Sequence, residues 1–304
     1  MSADNQGMFE NNFGFLQNIE YHIQVNEYQG VLTLLIEIIK SIILGIVQGI
    51  TEWLPISSTG HMILVDEFLV LNQSQEFKEM YFVVIQLASV LAVILLYFKR
   101  LNPFMQPTRE KEKETWNIWA KVIIGVIPVG IIGVLFEDKV NELFYNWQTV
   151  SIALIVYGIL FIGIEKRNKN RKMTYVDWKS FGFKEALKVG LFQILSLVPG
   201  TSRSGSTIMG GILIGTARPV AAEFSFFMSI PVMFGASLIK LLGFGFNFTP
   251  EELVILIAGC LSSFIVSVFA IKFLMNYIQK NDFSSFGWYR IIFGIFVILY
   301  FSFA

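Results

Sequence analysis

Residues 45–64, GIVQGITEWLPISSTGHMIL, constrain this chain more than any other stretch. The segment starts as an apolar helix and then breaks. Gln48 and Glu52 are four apart and share one helix face. Pro55 has no N–H to give and pushes Leu54 out of helical conformation, so the helix stops there. Ser57, Ser58, Thr59, Gly60 and His61 follow, and apolar sequence resumes at Met62. Lipid satisfies neither a bare backbone nor a carboxylate, so such a break is tolerated only where protein or a watery cavity covers it. Ionisable groups in that setting mark a functional site.

Composition establishes that lipid is the solvent. Of 304 residues, 54% are hydrophobic and only 15% charged, with 30 Phe and a mean hydropathy of +0.61. That balance is a polytopic membrane protein's. Zero net charge gives no electrostatic case for nucleic acid. A single cysteine, Cys260, excludes a disulfide within the chain and a multi-cysteine metal site. The N-terminus lacks the basic start of a cleaved signal peptide, so insertion is expected to use internal segments.

Taken in order, residues 1–30 read as a polar tail without Lys or Arg, poorly ordered or interfacial. A helix is expected over 31–54, interrupted early by Glu37 and Lys40, and a short one over 62–71. Neither flank of the break reads as a span of about 20 residues, which makes 31–71 a re-entrant helix–loop–helix. Three spans follow at 81–98, 118–136 and 147–164, the charged run Arg109–Glu114 being a solvated loop face. A basic connector covers 166–188. A second interrupted segment, VGLFQILSLVPGTSRSGSTIMGGILIG, occupies 189–215, and three more spans are expected at 220–240, 252–271 and 288–304.

The two interrupted segments look like copies. Gln48 and Gln193, Ser57 and Ser202, and Gly60 and Gly205 are each 145 positions apart. The prolines slip by one, Pro55 against Pro199. The repeats are thus 31–165 and 189–304. A re-entrant hairpin makes no net crossing and three spans make an odd number, so the second copy is inverted. The fold class is an all-α polytopic membrane protein with an inverted-topology repeat, its site where the broken segments meet. The 99–121 loop carries six Lys and Arg, 166–188 eight and 272–290 three, against Lys78 and Lys139 on the opposite side. Seventeen against two places the N-terminus, the mouth of the first broken segment and the C-terminus outside the cytoplasm.

The second segment puts Arg203 among Ser202, Ser204, Gly205, Ser206 and Thr207. A guanidinium fork, hydroxyls and glycine backbone at a helix start suit phosphate oxygens. Arg203 could instead pair with Glu52 merely to neutralise a buried carboxylate. In the first segment Glu52 could handle a metal or a proton, and Gln48 could coordinate only through its carbonyl. His61 could be a general acid or base, or a satisfied histidine at a helix start. Ser57, Ser58 and Thr59 could be nucleophiles or helix caps. Together the two sets suggest chemistry on, or transport of, a phosphorylated ligand. His22 reads as incidental, and Glu223 joins either the central polar network or the interface.

QGITEWLPISSTGHMIL and PGTSRSGSTI, with EFSFFMSIPVMFGA beyond them, resemble the undecaprenyl-diphosphate phosphatase family, also called the bacitracin-resistance family. The resemblance covers everything after the tail. It implies a bacterial plasma- or inner-membrane enzyme with an inverted-repeat fold and two re-entrant segments. Such an enzyme removes the terminal phosphate of undecaprenyl diphosphate, regenerates the carrier lipid for cell-wall polymers and confers bacitracin resistance. It implies a divalent cation, Mg2+ or Ca2+, at an acidic motif falling on Gln48 and Glu52, where some members have glutamate at the first position. It places the proposed nucleophile on Ser58, the histidine on His61 and the phosphate-binding arginine on Arg203. Ser57, Thr59, Gly60, Ser202, Ser204, Gly205 and Thr207 fall around the diphosphate.

The expected partners are a polyprenyl diphosphate and the bilayer, without nucleic acid, and a homodimer is left open. A Ser58 nucleophile aided by His61 or Glu52 competes with attack by metal-activated water. A transporter or flippase of a phosphorylated lipid is the rival class, since an inverted repeat suits it equally.

Overall fold

The chain's architecture is that of a computed structural model, which describes residues 29–303 and the side chains of all of these but 137 and 138. The described residues form helices and loops, with one isolated β-bridge between Tyr175 and Thr216. The chain runs α1 Gln29–Thr51, a turn, α2 Ser58–Asp66, α3 Gln75–Leu96, a short α4 Phe98–Leu101, α5 Arg109–Phe144 and α6 Trp147–Asn168. A connector leads to α7 Phe183–Gln193, a single 3-10 turn, a second break, and α8 Arg203–Ile214. Then come α9 Arg218–Phe244, α10 Pro250–Tyr277 and α11 Ser284–Phe303. Seven of these (α1, α3, α5, α6, α9, α10 and α11) are long and apolar enough to cross a membrane.

Each of the six expected spans falls on a helix, and several element limits are corrected. The first flank is not too short to span: α1 is an unbroken 23-residue helix. Glu37 and Lys40 do not interrupt it, because they offset each other's charge in an ion pair (2.7 Å) within the helix. There Glu37 also accepts the Asn72 N–H and Lys40 donates to the Val70 carbonyl, both at 2.8 Å, which ties α1 to the loop after α2. The short helix expected over 62–71 runs instead over 58–66, since Ser57 caps it and brings Ser58 to His61 into its first turn. The run Arg109–Glu114 is not a loop. Thr108 accepts the Lys111 N–H, and Glu110 and Glu112 favour the helix start, so α5 begins nine residues before the expected span. The second interrupted segment likewise begins at 183, inside the expected connector. The tail read over 1–30, with His22, lies outside the described residues except for 29 and 30, which are helical.

The bundle is apolar outside and more polar within. On α1, Val31, Leu35, Ile39, Ile42, Ile46 and Ile50 are exposed, whereas Glu37, Ser41 and Gln48 are buried. That arrangement fits lipid as solvent, where helices associate through small residues and hydrogen bonds. Ser41 donates to the Ile255 carbonyl at 2.6 Å, Ser89 meets Ser263 at 2.6 Å, and Ser267 donates to the Gly49 carbonyl at 3.3 Å. These bonds join α1 and α3 to α10. Further in, α9 packs against α3, α5 and α8, and supplies Phe224, Phe226 and Phe227 to a core that includes Trp53, Phe181 and Phe283.

On the other side α6 packs along α11, where glycine backbones meet. A Cβ on Gly158 would sit 2.7 Å from the Gly287 carbonyl and 2.8 Å from Ile291 Cγ1. Gly158→Val should therefore destabilise the fold by about 1–3 kcal/mol through overpacking. Thermal melting in detergent checks it: a midpoint several degrees lower is expected, and an unchanged one would mean that α6 and α11 do not approach as described.

Candidate active site

The two breaks meet in the middle of the bundle. Glu52 follows α1 directly, and Arg203 opens α8. Arg203 Nη2 donates to Glu52 Oε1 at 2.7 Å, with both side chains less than a tenth exposed. Gln48, one turn before Glu52, donates from Nε2 to Glu52 Oε2 at 2.8 Å. Ser58 Oγ approaches the same oxygen at 3.3 Å. Ser204 donates to the Glu52 backbone carbonyl at 3.1 Å. One carboxylate thus gathers an amide, a hydroxyl and a guanidinium.

Local backbone geometry sets these side chains. Ser57 (φ 74°, ψ 102°) and Ser202 (φ 73°, ψ 121°) are the two non-glycine residues with positive φ among the described residues. Each is a helix N-cap: Ser57 Oγ accepts the Gly60 N–H at 3.3 Å and Ser202 Oγ the Gly205 N–H at 3.1 Å. A non-glycine residue held there costs about 1–3 kcal/mol and persists only where its surroundings enforce it. The benefit is placement, since the next residue in each case is Ser58 or Arg203. Gly60 and Gly205 are buried, and their N–H groups are taken by the caps. Ser58, Thr59, Ser202 and Arg203 are the partly exposed members and form the rim of the site.

Arg203 does more than neutralise Glu52. Nη1 donates to the Ser225 carbonyl at 2.9 Å, its guanidinium lies 5.8 Å from the centre of the Trp53 ring, and Nε is a buried donor without a partner among the described residues. Thr207 is a turn deeper, its hydroxyl 2.7 Å from Ser225 Oγ. His61 lies apart from this cluster. Its Nδ1 is 2.7 Å from the Ser57 carbonyl and its Nε2 is 2.7 Å from the Tyr289 hydroxyl, with Phe293 stacked on the ring at 4.1 Å. Nδ1 can only donate to that carbonyl, so Nε2 accepts from Tyr289. Both nitrogens are engaged, and the group that contacts Ser58 is Glu52.

Glu223 does not belong to this cluster. It pairs with Arg100 at 2.8 Å and accepts from Trp178 Nε1 at 2.8 Å, tying α4 and the connector to α9. Sequence reasoning missed three participants. Ser225 lies in an apolar run where nothing marks one serine from another. No local signal sets Tyr289 apart from the other aromatics. Arg290 was counted with the cytoplasmic charges of 272–290. It is instead fully buried in α11 and donates to carbonyls of both breaks: Pro55 at 3.1 Å, Gly200 at 2.8 Å and Thr201 at 3.0 Å. An arginine in the terminal apolar run was the available signal, since ionisable residues inside spans are functional by default.

Comparison with known proteins bears on this cluster. The profile of the family described as "Bacitracin resistance protein BacA" matches residues 41–296, which contain both breaks and Arg290. A protein named Undecaprenyl-diphosphatase from Desulfitobacterium hafniense is 59% identical over 270 residues, covering 88% of this chain and 97% of that relative. Another of that name from Acetivibrio thermocellus is 57% identical, covering 88% and 98%. Undecaprenyl-diphosphatase 1 of Clostridioides difficile is 59% identical, covering 88% and 97%. Similarity of this degree over nearly the full length of each relative means that the chain belongs to the bacitracin resistance protein BacA family.

Proposed function

We infer that this protein is an integral-membrane phosphatase that hydrolyses undecaprenyl diphosphate to undecaprenyl phosphate and inorganic phosphate. It thereby recycles the carrier lipid of cell-wall synthesis and confers bacitracin resistance. The observation that carries the reading is the meeting of Arg203 with Glu52 beside Ser58, inside an apolar bundle. A guanidinium and hydroxyls gathered inside an apolar bundle suit an anionic ligand with a lipid tail, and the relatives' names supply the class. The bilayer accommodates the tail while the diphosphate reaches the rim of Ser58, Thr59, Ser202 and Arg203.

In the first step Ser58 Oγ attacks the terminal phosphorus and passes its proton to Glu52 Oε2. The anhydride bond breaks, and undecaprenyl phosphate leaves. In the second step water attacks the phosphoserine, Ser58 regains a proton, and phosphate is released. Arg203 holds the transferring phosphoryl oxygens, for which its unpartnered Nε and its fork provide donors, and such electrostatic positioning is most of phosphoryl-transfer catalysis. His61, fixed between the Ser57 carbonyl and Tyr289, steadies the turn that carries Ser58.

Gln48 and Glu52 would hold a divalent cation of the Mg2+ kind once Gln48 turned its amide carbonyl toward it, since its Nε2 now donates to Glu52 Oε2 and Arg203 takes Oε1. One carboxylate and one amide carbonyl are what such an ion takes from protein when water and substrate phosphate supply its other ligands. When bound, the cation would offset charge on the phosphate oxygens.

The two breaks also support an inverted repeat with two re-entrant segments. Ser57 and Ser202 share spacing, strain and cap. The charge asymmetry then directs the first break toward the outside of the cell membrane, although Arg290 leaves the count of loop charges.

Four outcomes test these readings. Purified protein in detergent, where no compartments exist, should release phosphate from undecaprenyl diphosphate, and a chelator should abolish it. No release with divalent metal present would favour a lipid transporter. Ser58→Ala should lower turnover by about 10³-fold or more and prevent trapping of a phosphoenzyme. Arg203→Lys should lose most activity with charge retained, because a point ammonium does not reproduce a fork; near-normal turnover would reduce Arg203 to a partner for Glu52. In intact cells carrying Cys260→Ser, a cysteine at Thr59 should react with an impermeant thiol reagent and be protected by substrate. Labelling only after the membrane is opened would reverse the orientation.

A further inference from the structure

Arg290 is the largest buried charge that the chemistry above does not use. It has no solvent exposure and, among the described residues, no carboxylate partner. A buried cation of this kind is costly. Its donors go to backbone carbonyls: Nε toward Leu154 (3.5 Å), Nη1 to Pro55 (3.1 Å), and Nη2 to Gly200 (2.8 Å) and Thr201 (3.0 Å). Pro55 lies two residues before the strained Ser57, and Thr201 immediately precedes the strained Ser202. One side chain on α11 therefore fastens the backbone just upstream of both unusual serines, one in each break.

We propose that Arg290 is a positioning residue for the phosphoryl transfer, clamping both breaks so that Ser58 and Arg203 stay in register. If the clamp loosens, Ser57 and Ser202 can relax toward ordinary negative φ, and the residue after each swings away. Arginine suits the task because its planar fork reaches two separate backbone strands at once, whereas an ammonium presents its donors from one point. The charge belongs on this residue rather than on a ligand, because the carbonyls take its donors. This inference rests on the reading in which Ser58 and Arg203 act on the substrate diphosphate.

The test is steady-state kinetics of Arg290→Lys on undecaprenyl diphosphate in detergent. Misplacement of reacting groups by about 1 Å costs on the order of 10²-fold, so kcat should fall by about that much. KM should stay within about threefold, because a shift of about 1 Å spoils the alignment of the reacting groups while every head-group donor of the rim is still present. In combination with Arg203→Lys the defects should not multiply, since both act on one alignment. An unchanged kcat, or fully multiplied defects, would overturn the proposal. Should Arg290→Lys not fold, Tyr157→Leu removes the ring that lies 5.7 Å from the guanidinium and spares its donors. A several-fold loss of kcat with KM held is expected there, and unchanged kcat overturns the proposal. Failure of the underlying reading looks different: Arg203→Lys alone would then turn over normally.

Discussion

The Arg203–Glu52 pair joins residues 151 positions apart inside a bundle whose solvent is lipid. An ion pair buried there is weak evidence for stability, because removing two charges from water costs about as much as their attraction returns. Its value lies in what it forces. Glu52 needs a cation and Arg203 an anion; Glu52 lies just past the end of α1, and Arg203 opens the helix that restarts after the second break. The breaks must therefore face each other, and α1, α2, α7 and α8 must converge for that to happen. The arrangement of α6, α9 and α11 around them follows, since open backbone in a membrane has to be covered by protein.

Covering the breaks is a hydrogen-bond problem solved chiefly by side chains. Ser57 and Ser202 cap the helices that restart, Ser204 binds the Glu52 carbonyl, and Arg290 takes three carbonyls of the broken segments. The outer faces meanwhile carry Ile, Leu and Phe. These two demands do not conflict, because one helix presents both: α1 is apolar toward lipid and carries Ser41 and Gln48 inward. The same arrangement leaves Ser58, Thr59, Ser202 and Arg203 at the edge of the polar centre, where a phosphate head group can arrive while its tail stays in lipid.

Much of the site is legible in the amino-acid sequence. Glu52, Ser58 and Arg203 stand out because charged and hydroxyl groups are conspicuous against apolar sequence. His61 stands out for the same reason, yet its neighbours cannot be inferred. It contacts Tyr289, which is 228 residues away, and no local pattern links the two. Helix limits are less legible where capping decides them. Thr108 and Ser57 each start a helix earlier than hydropathy suggests, because a capping side-chain oxygen, joined at Thr108 by Glu110 and Glu112 in the first turn, outweighs a run of charge or a glycine.

Sequence by itself determined the solvent, the six later spans, the two breaks and the chemical types gathered at them, since hydropathy and proline act locally. Tertiary structure alone decided which groups touch. It assigned Glu52, not His61, to Ser58, sent Glu223 to a separate network with Arg100 and Trp178, and made α1 a continuous helix by pairing Glu37 with Lys40 and Asn72. It also moved Arg290 from an apparent loop charge to the centre of the molecule. The physical reason is common to all four. A charge read along the chain carries a cost but no address, and its partner is fixed only when distant helices pack and leave it one set of acceptors within reach.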